Sequence, residues 1–500
     1  MRSRSTQVLI SALLLGVVGD QMLRGGEPRL GFALLVLLGI ACATYIGGRG
    51  QRERSWLLAG VGLAALGLVL RDSPVLFAID LMSVLCMGAL AVWHGSGRRF
   101  ADLALPDPVR ATALALLTAA AGAPEVVRGA APESEAAGNR AKRVRALAIG
   151  AVLAVPPLFI VSGLLGSADV LFARFLDDLG GFIFANGVEH LLVIAALGWL
   201  AAGWLQGTIG GPTGVRVPEV RSPGIAFTSV SVGLYGLVAL LALFLGTQTR
   251  ALFGGAAYLA ETAGLTVAEY ARDGFFQLVV AAGVVLGTLL VADWLMSGAA
   301  QARNEMEPDR AAVARDQRRY VAVGTVLVLL VAALLGSAIA RIWLYVSSYG
   351  LSLERAFAIA LMVWVFVALA LFAGTVLRGR RGRFVPALLL ATMVWVALLN
   401  VAGPEALVVR VNVSRAVAGR PFDVAYHARL SADALPALLA AAPRLAAGEC
   451  EALGTALAAH WEKRAAGRVG REDWRGLDLP LARALAWNER AALPSCGGPG

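Results

Sequence analysis

Lysine is almost missing from this chain: of 44 basic residues only Lys142 and Lys463 are lysines. A phosphate-binding loop of the G-x-x-x-x-G-K-[ST] kind needs a lysine after a glycine, and neither follows one, so that site is excluded. Charge of either sign is scarce, at 16% of 500 residues, where a soluble domain carries about 25%. Histidine occurs four times, at His94, His190, His427 and His460, without zinc-ligand spacing. No G-x-S-x-G nucleophile elbow occurs. Nothing calls for a metal or a cofactor, and no enzyme motif is present. Cysteine also occurs four times. Cys42 and Cys86 sit in apolar runs as small packing residues, while Cys450 and Cys496 lie in a polar tail where an oxidising compartment would allow a disulfide.

What the chain has instead is hydrocarbon. Apolar residues make up 58% of it, and its mean hydropathy is +0.71. They come in runs of about 20, the length that crosses a hydrocarbon core of roughly 30 Å. A soluble core would show period-3.6 stripes broken by charge. We read an all-α membrane protein with about eleven transmembrane helices and a small C-terminal helical domain. The expected spans are 6–23, 29–47, 55–70, 74–93, 146–165, 188–205, 228–247, 275–296, 320–340, 356–377 and 383–401. The first follows Arg2 and Arg4 but has no small-residue cleavage site, so it reads as an uncleaved helix.

A net charge of +10 invites a nucleic-acid partner, but where the basic residues sit argues for a bilayer instead. Positive charge is retained in cytoplasmic loops. With the N-terminus inside, inner segments hold twenty-four basic residues and outer loops eight, the other twelve being in the tail. The expected topology is therefore N-in and C-out. The pattern divides the chain into a four-helix unit (1–93), a flexible cytoplasmic linker (94–145), a seven-helix unit (146–401) and an extracytoplasmic tail (402–500). The linker is rich in Ala, Pro, Glu and Gly from 122 to 139, after a weakly amphipathic stretch at 111–121.

Ionisable groups inside spans are costly and mark function by default. Asp20, Asp80 and Asp293 are such groups. Asp20 and Asp293 lie near span ends and can equally reach the interface, whereas Asp80 lies seven residues into its span without a basic neighbour in sequence. A buried partner or a protonated carboxyl is expected there. Three semi-apolar loops on the outer side carry the other candidates. The first, 167–190, holds Asp169, Arg174, Asp177, Asp178, Glu189 and His190. The second, 264–278, puts Glu269, Arg272 and Asp273 on one helical face. In the third, 341–356, Arg341, Tyr345 and Tyr349 repeat every four residues. These loops either anchor the bundle as interfacial helices or together line a charged, aromatic vestibule. Gly283 and Gly287 form a small-xxx-small pair suited to close helix approach.

The tail has soluble composition. Ser431 is an N-cap signal before an amphipathic helix to 445, with further helices expected at 449–464 and 479–492. Such a helical hairpin or short solenoid suits a protein partner.

Several segments resemble a bacterial membrane-protein family catalogued only as domain of unknown function 4153, also 4173. They are SADVLFAR (167–174), GLTVAEYARDGFF (264–276), RIWLYVSSYGLSLERA (341–356), TVLRGRRGRF (375–384), LLNVAGPEALVVRVNVSRA (398–416) and LSADALPALL (430–439). The resemblance spans roughly 150–440 and is looser over the first four spans. It implies a multi-pass bacterial inner-membrane protein and no established activity. The leading expectation is transport or permeation of a small polar or ionic solute. A non-transporting envelope scaffold or sensor, and an outer-leaflet enzyme on a lipid-linked substrate, stand beside it. The sequence assigns no oligomeric state.

Overall fold

The fold is given by a computed structural model describing residues 4–24, 28–48, 52–130, 188–211, 213–253, 275–302, 310–466 and 474–489, with Cys496 and isolated positions between 154 and 175. Helix is the only regular structure among them besides short 3-10 turns. That is what lipid demands, because a helix pairs its own backbone donors and acceptors where no water can. Ten of the helices are long and apolar enough to cross a membrane. They match ten of the eleven expected spans. The fifth, 146–165, lies outside the described residues save for isolated positions.

Helices α1 (Arg4–Leu23), α2 (Arg29–Gly47), α3 (Arg52–Leu70) and α4 (Pro74–Gly95) form an N-terminal bundle. Pro74 starts α4 at a position where its missing N–H costs nothing. Helices α5 (Asp107–Ala121) and α6 (Ala123–Ala130) follow, in a region whose composition suggested a flexible linker. They pack because Ala111, Ala123 and Val126 bury almost completely. Helix α7 (Val188–Thr208) then runs along α1, so the first and sixth expected spans are neighbours.

That pairing depends on glycine. A Cβ on Gly16 would lie 2.5 Å from the Ile194 carbonyl oxygen, and one on Gly203 would strike the Thr118 carbonyl of α5. Close backbone approach supplies packing that the hydrophobic effect cannot supply between helices in lipid. The pair singled out in sequence behaves differently: a Cβ on Gly283 or Gly287 meets nothing within 4 Å among the described residues.

A second bundle holds α8 (Phe227–Phe253), α9 (Phe275–Ala302), α10 (Arg310–Tyr349) and α11 (Leu353–Thr375). Leu289, Leu327, Val331, Leu335 and Phe372 fill its centre, and the Tyr320 hydroxyl donates to the Leu289 carbonyl at 2.7 Å. Helix α12 (Phe384–Ala402) packs on α11 and also touches α3 and α4, joining the bundles.

The tail is α13 (Pro404–Val417), α14 (Val424–Ala428), α15 (Leu435–Ala441), α16 (Ala447–Ala466) and α17 (Leu479–Glu489). Gly403, at φ +60°, makes the turn from α12 into α13. Its own core includes Val408, Leu435, Leu453, Leu457 and Trp461, and Cys450 is bonded to Cys496 with Cα atoms 5.7 Å apart. Ser431 caps a 3-10 turn at Ala432–Ala434, and the helix expected to run unbroken to 445 stops at Ala441.

Replacing Gly203 by Leu overpacks the α5–α7 contact by about 1–3 kcal/mol. We expect the purified protein's unfolding temperature to fall by about 1–3 °C. Gly283→Ala, facing open space, leaves that temperature unchanged or raises it.

Candidate functional site

Asp80 is fully buried in α4, six residues past Pro74 and so about 9 Å along the helix from its tail-side end. Asn400 of α12 donates its Nδ2 to Asp80 Oδ1 at 2.9 Å. The other oxygen, Oδ2, has no hydrogen-bond partner and rests against Gly67, where any Cβ would collide with it. A buried acceptor without a donor costs about 1–3 kcal/mol, so it is not an idle arrangement. Asp80 and Asn400 line a cavity of about 420 Å³ between α3, α4 and α12. Most other walls are apolar: Leu63, Met87, Met393, Val396 and Val401 among them.

The tail-side mouth of this cavity carries Arg71 and Arg483, which also line a second cavity of about 270 Å³ between Leu70 and α15 and α17. Arg71 directly follows α3, donates to the Asn400 carbonyl and lies 3.5 Å from Asp433. Arg483, on α17, is exposed and forms no hydrogen bond or ion pair with another described residue.

Around the mouth the tail is fastened to the bundle by buried charge. The Asp433 carboxylate accepts from the backbone N–H of Asp72 and of Ser73, both at 3.0 Å. Asp72 in return accepts from Ala432 N at 2.9 Å and from Arg464 at 3.3 Å. Arg29 donates to Asp478 at 2.6 Å and to the Arg71 carbonyl at 3.0 Å. Glu405, almost wholly buried, takes the N–H and hydroxyl of Ser431. Burial pushes the carboxyls of Glu405 and Asp433 above the ordinary range. Burial, then the neighbouring Asp72 charge, pushes Asp478 up to about 7.

The candidates read from sequence divide between places. Asp80 lines the cavity. His190 pairs with Asp20 at 2.7 Å, and Arg24 bonds the same carboxylate at 2.8 Å and approaches Glu189 at 3.8 Å. Asp20 is thereby neutralised at its span end. Asp293 is likewise paired, with Arg381 at 2.9 Å. Asp169 is exposed and caps its own turn by accepting from Phe172 N at 2.8 Å. Tyr345 and Tyr349 lie 5.1 Å apart, with the Arg355 guanidinium 4.0 Å over Tyr345, while Arg341 is buried on the same helix. Glu269 and Arg272 lie outside the described residues.

Another polar pocket, of about 160 Å³, lies where α10 meets the tail. Its buried groups are spent on structure. Asn412 bonds both the N–H and the carbonyl of Leu351 and lies 3.0 Å from His427 Nε2. Burial holds His427 below its usual pKa and so neutral, and Arg415 donates to the carbonyls of Val346, Ser347 and Ser348 that end α10.

Asn400, Arg71, Asp433 and Arg483 were not among the residues singled out in sequence. The signal available was Arg71–Asp72–Ser73, a charged turn only three residues long between two apolar spans.

Residues 58–441, well over half of the chain, match the family model described as domain of unknown function DUF4153. The chain belongs to this family. The match starts inside α3 and ends with α15, so it takes in every helix around the Asp80 cavity except α17. No curated protein and no solved structure matches the chain.

The raised carboxyls give a pH dependence with a definite sign. The folded tail keeps a proton on Asp478 up to about pH 7, whereas an unfolded aspartate loses it near 3.9. Between those values the native state binds more protons, so stability falls as pH rises. Limited proteolysis should therefore release the tail faster at pH 8 than at pH 5.5, and Asp478→Asn should flatten the difference.

Proposed function

We propose that this is a transport or permeation protein of a bacterial cytoplasmic membrane, with its N-terminus inside, its tail outside and its solute held in the Asp80 cavity. One observation carries the reading: a fully buried intramembrane carboxylate with an unpartnered oxygen lies in the wall of a cavity. Burying a carboxylate in hydrocarbon is expensive, and a pure packing site would have taken an apolar residue. A cavity of about 300–1,000 Å³ is the usual size for a small-molecule site, and this one falls in that range. The three-to-one excess of basic residues in alternate loops supports the orientation.

The enzyme reading has less to draw on. Acid–base cleavage of a glycosidic bond uses two carboxylates about 5–10 Å apart, and Asp80 is the single carboxylate lining the described cavity. The scaffold reading rests on the tail, yet much of the tail's buried charge is already used in holding α2 and the α3–α4 turn.

Cysteine accessibility tests the proposal. In a Cys42→Ala, Cys86→Ala background, Ser83→Cys places a thiol in the cavity wall. A membrane-impermeant trimethylammonium methanethiosulfonate should label it in right-side-out and in inside-out vesicles, since a transport site opens to each side in turn. Labelling from the tail side alone would make the cavity a binding pocket without passage. Labelling from neither side would remove the chamber altogether.

A further inference from the structure

The rim of the Asp80 cavity says which phase its ligand comes from. Leu63, Leu70 and Val401 line the cavity and yet are 58%, 51% and 81% exposed. All three belong to helices long and apolar enough to cross a membrane; Leu70 and Val401 sit at their tail-side ends, and Leu63, seven residues inside α3, is the one whose exposure we read as facing hydrocarbon. The cavity opens sideways into the bilayer, between α3 and α12, as well as toward the tail at Arg71 and Arg483. A freely water-soluble solute has no use for a lateral opening. A molecule with an acyl chain does.

Three further features narrow the class. The cavity, about 420 Å³, is near the small end of the range for a small-molecule site. A single acyl chain suits it better than the paired chains of a membrane lipid. At the mouth, Arg483 carries an exposed guanidinium that makes no bond to another described residue, beside Arg71, whose bonds go to Asn400 and Asp433. A guanidinium pairs with a phosphate through charge-assisted hydrogen bonds. Deeper, Asp80 Oδ2 accepts nothing and would take a hydrogen bond from a hydroxyl lying between the charged group and the chain.

We propose that the cavity binds a single-chain anionic amphiphile of the lysophospholipid class. Its phosphate meets Arg483 at the mouth, its free glycerol hydroxyl donates to Asp80, and its chain lies along Leu63, Met87, Met393 and Val396. This names the solute of the transport reading and rests on it. The tail is then part of the site, because α17 supplies Arg483 and with α15 forms the roof over the headgroup. The assignment also gives Gly67 a role, since a side chain there would push the Asp80 carboxylate from its place in the wall.

The test uses the full chain in phosphatidylcholine nanodiscs and radiolabelled lysophosphatidylglycerol as probe. Saturable binding above that of protein-free discs is expected. Arg483→Gln, at an exposed position, should weaken it about tenfold, the scale of one guanidinium–phosphate contact. Leu63→Trp should abolish binding by filling the chain's place. Two-chain phosphatidylglycerol and inorganic phosphate should compete poorly. Binding no greater than in empty discs, or unchanged in Arg483→Gln, overturns the proposal. Equal competition by the two-chain lipid or by phosphate overturns it as well, in favour of a different ligand. If lysophospholipid binding fails while Ser83→Cys still labels from both sides, the ligand class falls and the transport reading stands.

Discussion

The structure depends on buried charge exchanged between the tail and the α3–α4 turn. Asp72 and Asp433 each accept backbone donors from the other's segment, and Arg29, Arg71 and Arg464 surround them. Such groups are costly to desolvate unless every partner is in place. The tail can therefore dock in one register, and that register sets the cavity's mouth. Arg71 joins both systems: its guanidinium meets Asp433 of the tail and the backbone of Asn400, whose side chain holds Asp80. A shift in tail position would be felt at the intramembrane carboxylate.

The two bundles are built by different means. In the first, glycines let α1, α5 and α7 touch backbone to backbone, which is how helices bind in a solvent as apolar as their own side chains. In the second, large aliphatic residues from α9, α10 and α11 interlock around Phe372. Helix α12 meets both, and the tail reaches both, through Asn412 and Arg415 on the α10–α11 junction and through Asp433 and Asp478 on the first bundle. The Asp80 cavity lies where α12 meets the first bundle.

Much of the fold was legible in the sequence because crossing a membrane imposes length and apolarity on each helix directly. Asp80 was legible for the converse reason, as a charge where none is tolerated without cause. Its partners were not. Asn400 lies 320 residues away and reads as one polar residue near a span's end, and Arg71 reads as an ordinary loop charge. The Asp72–Asp433 exchange joins segments 360 residues apart, a distance over which no periodicity carries information. Helix α6 escaped for a local reason: its Ala, Pro, Glu and Gly composition resembles a linker, and burial of Ala123 and Val126 against the bundle decides its state. The small-residue pair at 283 and 287 has no neighbour among the described residues, since glycine spacing marks where an approach is allowed and not that one occurs.

The claim that the tail is locked to the membrane bundle by desolvated charge is tested most directly by a double-mutant cycle on Arg29 and Asp478, which lie 2.6 Å apart. Unfolding of the full chain in detergent is measured for Arg29→Met, Asp478→Asn and the double variant at pH 8. The account predicts a coupling of about 1–3 kcal/mol, Asp478→Asn being less destabilising, or more stabilising, without Arg29 than with it. Strictly additive losses would contradict it, and would make the tail a domain that merely rests on the bundle.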